Sequence, residues 1–100
     1  MITVSVSFML YLDSSPELSI GKKVFDMEID DGATFVELLE GLEPSFGPAL
    51  AEEIYDSKKQ QLQELVKAIL NGVLVQNLDG MRTVLKHGDT IVFVPLVMGG

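Results

Sequence analysis

Leu85-Lys86-His87-Gly88-Asp89-Thr90-Ile91-Val92-Phe93-Val94-Pro95-Leu96-Val97-Met98-Gly99-Gly100 is a turn, a strand and a tail in direct succession. His87-Gly88-Asp89 supplies turn residues and residues 90–95 are β-branched and apolar. Pro95 has no amide to give a ladder, so the strand ends there. Glycine has no side chain and accepts backbone angles closed to other residues, so Gly99-Gly100 puts an unhindered carboxylate on a thin arm. Five residues follow Pro95, which sets a maximum reach of about 17 Å at roughly 3.3–3.6 Å per residue. Such an arm delivers its terminal carboxylate into another protein's active site while the folded body stays outside. A frayed end or a cloning remnant also yields two glycines, but a remnant does not ordinarily follow an apolar strand and a proline.

The rest of the chain supplies a frame for this tail. In residues 2–12, Ile2, Val4, Val6, Phe8, Leu10 and Leu12 share one face and Thr3, Ser5, Ser7, Met9 and Tyr11 the other. That period of two predicts a half-buried strand. Asp13-Ser14-Ser15-Pro16 breaks it, and residues 22–29 read as a second, antiparallel strand with Phe25, Met27 and Ile29 inward. After Asp30-Asp31-Gly32, Thr34 and Glu37 have the spacing of a capping box. Phe35, Leu38, Leu39 and Leu42 then recur on one helical face. Glu43-Pro44 is expected to end this helix, and a shorter one is expected over residues 48–58, with Leu50 and Ile54 inward. Residues 57–64 read either as a surface connector or as an extension of that helix. Residues 66–70 form a strand, Asn71-Gly72 a hairpin turn, and residues 73–75 a short return strand. Residues 78–86 cross irregularly to the last strand. The expected organisation is one domain over residues 1–95 and a flexible tail over residues 96–100.

Composition narrows the function. The chain is long enough for one core and too short for two. It has no cysteine, which excludes disulfides, thiolate metal sites and cysteine nucleophiles. Fifteen acidic against seven basic residues leave a net charge of −8, which disfavours nucleic acid and anionic lipid as partners. The same charge steers the chain toward a basic protein surface or serves only solubility. No apolar run approaches the roughly 20 residues of a membrane span. The N-terminal residues alternate with serine and lack a basic leader, so they do not read as a signal peptide. The expected address is the cytoplasm.

A hairpin, a helix, further strands and a diglycine tail together resemble the ubiquitin-like β-grasp fold. That is an α+β architecture with a mixed sheet of about five strands on one main helix and a short second one. Asn71-Gly72, then Leu85-Lys86-His87-Gly88-Asp89-Thr90-Ile91, then Phe93, Pro95, Val97 and Gly99-Gly100 resemble the MoaD/ThiS family of sulfur carriers. Its pattern is an N-G turn, an L-x-x-G-D segment and a P-P-V-x-G-G ending. Residues 33–39 resemble the family's first helix. Leu96 stands where many members have a second proline, and Met98 where a small residue is usual.

The resemblance implies a carrier rather than an enzyme. The Gly100 carboxylate, reached through Gly99, would be adenylated by an ATP-dependent enzyme of the ubiquitin-activating type and converted by a persulfide to a thiocarboxylate. A sulfur-accepting enzyme, such as the large subunit of molybdopterin synthase, would then receive the sulfur. Pro95, Leu96, Val97 and Met98 would contact these partners. No cofactor or metal is expected on this chain; ATP belongs to the activating enzyme. Molybdenum or tungsten cofactor synthesis is the pathway that the P-x-V-x-G-G ending favours. Sulfur delivery to thiamine, cysteine or tRNA, and isopeptide modification of proteins, use the same tail.

Other residues carry weaker chemistry. His87, the one histidine, reads as a turn residue, and no serine stands in a nucleophile elbow. Asp30-Asp31 and Glu52-Glu53 match no calcium loop, and Gly88 lies in no phosphate loop. Phe8 reads as core by its alternation, which leaves Met9 and Met98 as exposed candidates for a docking patch.

Overall fold

In the computed structural model, residues 1–21 and 23–96 are described. Strand β1 (Ile2–Phe8) pairs antiparallel with β2 (Val24–Ile29), from Ile2 opposite Ile29 to Ser7 opposite Val24. Val4, Val6 and Phe8 are buried, as their alternation demands. The strand stops at Phe8 instead of running to residue 12, because the chain leaves the ladder there. The Phe8 carbonyl accepts from the Gly21 amide at 2.7 Å and the Leu10 carbonyl from Ile20 at 3.1 Å, with Ile20 and Gly21 both left-handed at φ 57° and 67°. Leu12 is nonetheless fully buried, its amide donating to the Oγ of equally buried Ser19 at 2.7 Å. Lys22 lies outside the described residues.

Helix α1 (Phe35–Glu40) starts at Thr34. Glu37 Oε1 accepts from the Thr34 amide and hydroxyl, both at 3.1 Å, which is the reach-back half of the capping box. Phe35, Leu38, Leu39 and Leu42 are all buried on the predicted face. The helix does not end at Glu43-Pro44. It breaks at Gly41, and Pro44 lies inside a second piece, α2 (Leu42–Phe46), in the first turn where a missing amide leaves no bond unmade. Gly47, at φ 96°, closes α2 and leads to α3 (Pro48–Ile54), which buries Leu50, Ala51 and Ile54. The main helix is thus α1 and α2 together, and α3 is the short second one.

Helix α3 stops four residues before Lys58, and the polar stretch that follows is neither connector nor helix. Strands β3 (Tyr55–Asp56) and β4 (Gln61–Leu62) pair as a small hairpin. The Asp56 carboxylate accepts from the Lys58 and Lys59 amides at 3.1 and 3.2 Å, an Asx-type turn that competes with helix continuation. Then come β5 (Val66–Leu70), β6 (Val73–Leu74) and β7 (Thr90–Pro95). Val75 leaves the sheet for a 3-10 turn over Val75–Asn77. The Asn71-Gly72 turn has φ 49° and 86°, the left-handed pair that a tight hairpin needs.

The five-stranded sheet runs β2-β1-β7-β5-β6, with β7 parallel to β1 and antiparallel to β5. The last strand is therefore interior to the sheet, flanked on both sides. Phe8 stacks on Phe93 with centroids 5.5 Å apart, and Phe46 of α2 meets Phe8 edge-on at 5.5 Å. This aromatic cluster fastens the helical layer to β1 and β7. The arrangement is the ubiquitin-like β-grasp.

Candidate functional site

The tail begins where β7 ends. Pro95 lies opposite Val66, and the Leu96 amide donates to the Leu65 carbonyl at 2.9 Å. Val97, Met98, Gly99 and Gly100 lie outside the described residues. Leu65 beside this exit is well exposed.

Next to the exit, one register row crosses all five strands. Val24 faces Ser7, Ser7 faces Val92, Val92 faces Ile69, and Ile69 faces Leu74. These positions alternate with the buried Phe8, Ile91, Phe93, Ala68 and Leu70, so they lie on the sheet face away from the helices. Ser7 is buried despite that orientation, for it sits between two valines. Val94 opposite Lys67 continues the apolar surface toward the tail. In the other direction the row Asp26, Ser5, Thr90 is polar. The open face is therefore apolar along this row, with Lys67 bonded to Gln76 at 3.0 Å beside it toward the tail, and polar at the far end.

The sequence reading did not find this row. Its signal was present in residues 91–94, Ile-Val-Phe-Val, where no polar residue alternates. A strand apolar on both faces implies that both faces are to be covered. Phe8 is core, as its alternation implied; of the two docking candidates, Met9 is exposed beside the left-handed Gly21 and Met98 lies outside the described residues.

The remaining candidates have structural partners. His87 Nδ1 accepts the Thr3 amide at 3.1 Å, and the Gly88 amide donates to the Thr3 carbonyl at 2.9 Å. These bonds moor the start of β1, the length of β7 away from the tail, about 17 Å at roughly 3.3 Å per residue. Asp31 pairs with the N-terminal amine at 3.2 Å. The Glu53 carboxylate accepts from the Asp13 amide at 2.8 Å and from the Ser14 amide and hydroxyl. Partial burial works to raise its pKa, but these three hydrogen bonds prevail and hold it below the usual carboxylate value. Among the described residues no cluster of carboxylates or histidine could hold a metal ion, and no helix is long and apolar enough to cross a membrane.

This combination of fold and tail exit has counterparts. A family model described as the ThiS family matches residues 21–100. The chain belongs to the ThiS family. Its members are small ubiquitin-like carriers and modifiers. The chain is 33% identical over 81 residues to small archaeal modifier protein 3 of Haloferax volcanii, a match covering 81% of this chain and 85% of that protein. The solution structure of the Haloferax volcanii protein HVO 2177 superposes with a TM-score of 0.73 at 28% identity, over 99% of this chain and 87% of the other. Small archaeal modifier protein 1 of the same organism shares the fold, with a TM-score of 0.71 at 18% identity over 97% and 100% of the two chains.

Proposed function

We propose that this ThiS-family chain is a sulfur carrier with Gly100 as its reacting end. A glycine carboxylate, with an ordinary pKa of about 3.3–3.7, is ionised in the cell and a poor electrophile. A partner enzyme of the ubiquitin-activating type attaches AMP from ATP and releases pyrophosphate. A persulfide sulfur then attacks the acyl carbon and expels AMP, and a thiol cleaves the resulting S–S bond to leave a terminal thiocarboxylate. A second enzyme accepts that sulfur. The carrier supplies an end and a grip, while its partners hold the nucleotide and the bases.

The observation that carries this reading is the apolar row Val24-Ser7-Val92-Ile69-Leu74 beside the last tether, Leu96 on Leu65. A partner seated there would receive the four residues beyond Leu96, a reach of about 13 Å at roughly 3.3 Å each. The net charge of −8 favours a basic partner surface. The ending Pro95-x-Val97-x-Gly99-Gly100 favours molybdenum or tungsten cofactor synthesis, with the large subunit of molybdopterin synthase as acceptor.

A second reading rests on the 33% identity to a protein named as a modifier: the same adenylate would pass to lysines of target proteins as an isopeptide bond. One experiment separates the two. The chain is recovered from its own cells with whatever enzyme accompanies it, and its intact mass is measured. Replacement of one oxygen by sulfur supports the carrier. Gly100 joined to lysine in digests, with no sulfur-bearing form, supports the modifier. An unmodified chain that evokes no ATP–pyrophosphate exchange with its activating enzyme rejects both.

A further inference from the structure

The loop between β1 and β2 holds an isoleucine where the backbone does not favour one. Ile20 has φ 57° and is 60% exposed. A β-branched residue in the left-handed region is strained, because its γ branches crowd the backbone, and glycine or asparagine sits there at less cost. The other non-glycine residues with positive φ among the described residues, Gln60 and Asn71, are unbranched at Cβ. Nothing in the fold selects isoleucine at this position. Its amide donates to the Leu10 carbonyl at 3.1 Å, a bond that any residue but proline makes, and the exposed side chain gains little burial in return. Strain kept without a return in stability points to a use outside the fold.

Ile20 has apolar company at the end of the sheet from which the tail leaves. Leu10 and Leu12 turn into the core, which leaves Met9 and Tyr11 exposed, and Met9 lies against Gly21. The Met9 amide donates to the Phe93 carbonyl at 2.7 Å. Phe93 stands three residues before Leu96, about 10 Å at roughly 3.3 Å per residue. Across β7 the exposed Leu65 borders the exit on its other side. An enzyme that holds Gly100 is tied to Leu96 by the last four residues, within about 13 Å. A standard interface covers about 800 Å² of each partner, about 30 Å across, so it reaches the loop.

The tail decides what recognises the loop. Gly99 and Gly100 have no side chains, so an enzyme that meets the unmodified carboxylate must tell this chain from others by its body. A sulfur acceptor has the thiocarboxylate itself to select. We propose that Ile20, with Met9 and Tyr11 on either side of its hydrogen-bond partner Leu10, is a specificity anchor that seats in an apolar recess of the enzyme adenylating Gly100. The anchor presupposes that Gly100 is adenylated, as in both readings above, and adds a contact separate from the apolar row on the open face.

The test is ATP–pyrophosphate exchange by the adenylating enzyme purified from the protein's own cells, with the full chain as varied substrate and its Tm measured alongside. Ile20→Asn should raise the KM for the chain at least tenfold and leave kcat unchanged, as loss of uniform binding does. It should also raise the Tm by a few degrees, because asparagine accepts the left-handed backbone. Tyr11→Ser should raise the KM severalfold. Val84→Ser, at an exposed apolar position bridged to Thr34, should keep the KM of wild type. An unchanged KM in Ile20→Asn overturns the proposal whichever way the Tm moves. So does an equal rise in Val84→Ser, which would make any exposed apolar side chain sufficient. A lowered Tm in Ile20→Asn overturns it too, since the isoleucine would then serve the fold. Exchange absent with wild type removes the adenylate and the anchor with it; exchange present and alike in all variants removes the anchor alone.

Discussion

Asn71 and Asp89 are locked together across the sheet's end. The Asn71 amide donates to Asp89 Oδ1 at 2.9 Å, the Asn71 oxygen accepts the Thr90 amide at 2.9 Å, and Asp89 Oδ2 accepts the Lys86 amide at 2.8 Å. The two turn motifs, distant in sequence, thus form one structural unit that sets where β7 begins. Asn71→Ala removes two of these bonds and leaves a β-carbon residue at φ 49° without its local hydrogen bonds. A loss of about 1–2 kcal/mol is expected in urea unfolding, at the usual worth of about 1 kcal/mol per bond. A double-mutant cycle with Asp89→Ala should show coupling of at least about 0.5 kcal/mol; additive losses would mean that the lock carries no energy.

Glu53 ties α3 to the loop after β1 through Asp13 and Ser14. Its pKa is lowered in the fold, so its contribution is complete above the ordinary carboxylate range and disappears as pH falls through the folded value. Melting curves of wild type and Glu53→Gln should lie well apart at pH 7 and converge as the pH drops below 4.5, the ordinary value. A gap independent of pH would show that the carboxylate charge is not what the loop needs.

Gly21 stands at φ 67°, and a β-carbon there would overlap Met9 Sδ. Gly21→Ala should therefore cost more than about 1 kcal/mol, since alanine is strained in the left-handed region and must also displace Met9. Adding Met9→Ala should recover the steric part alone. Chemical denaturation of the two variants separates the contributions.

Val92 lies at the middle of the apolar row, between Ser7 and Ile69. Val92→Glu should lower affinity for the proposed activating enzyme at least tenfold while the protein remains folded by circular dichroism. Unchanged affinity, read by titration calorimetry, would place the docking surface elsewhere.

One residue added after Gly100, or Gly100 deleted, should abolish ATP–pyrophosphate exchange without altering unfolding. The carboxylate proposed to react moves by about 3.5 Å, and misplacement by about 1 Å can already cost on the order of a hundredfold in rate. Gly99→Ala should be milder, because it adds a methyl group to the arm without shifting its end. Equal exchange by wild type and the extended variant would remove Gly100 from the chemistry.

Much of the fold was legible because its signals are local. The alternation in β1, the Thr34–Glu37 spacing, the helical face through Leu42, the Asn71-Gly72 turn and the apolar run ending at Pro95 each lie within a few residues. Backbone geometry reads such patterns directly. The break at Gly41 was missed because proline is the stronger helix breaker in general, yet Pro44 falls where a first turn tolerates it. The β3–β4 hairpin was missed because strands two residues long have no period to detect.

By itself, the sequence determined the order of the main strands and the main helix and most of the inward residues, since these depend on side-chain spacing and on what glycine and proline permit. Only the tertiary structure decided which distant residues meet. Register across five strands assembles Val24, Ser7, Val92, Ile69 and Leu74 into one apolar row. Chain crossing brings Asn71 to Asp89, Glu53 to Ser14, and Met9 to Phe93. Pairing of this kind is set by how the whole core closes, because a shift of one residue in any strand would turn that row inward and bury its polar neighbours.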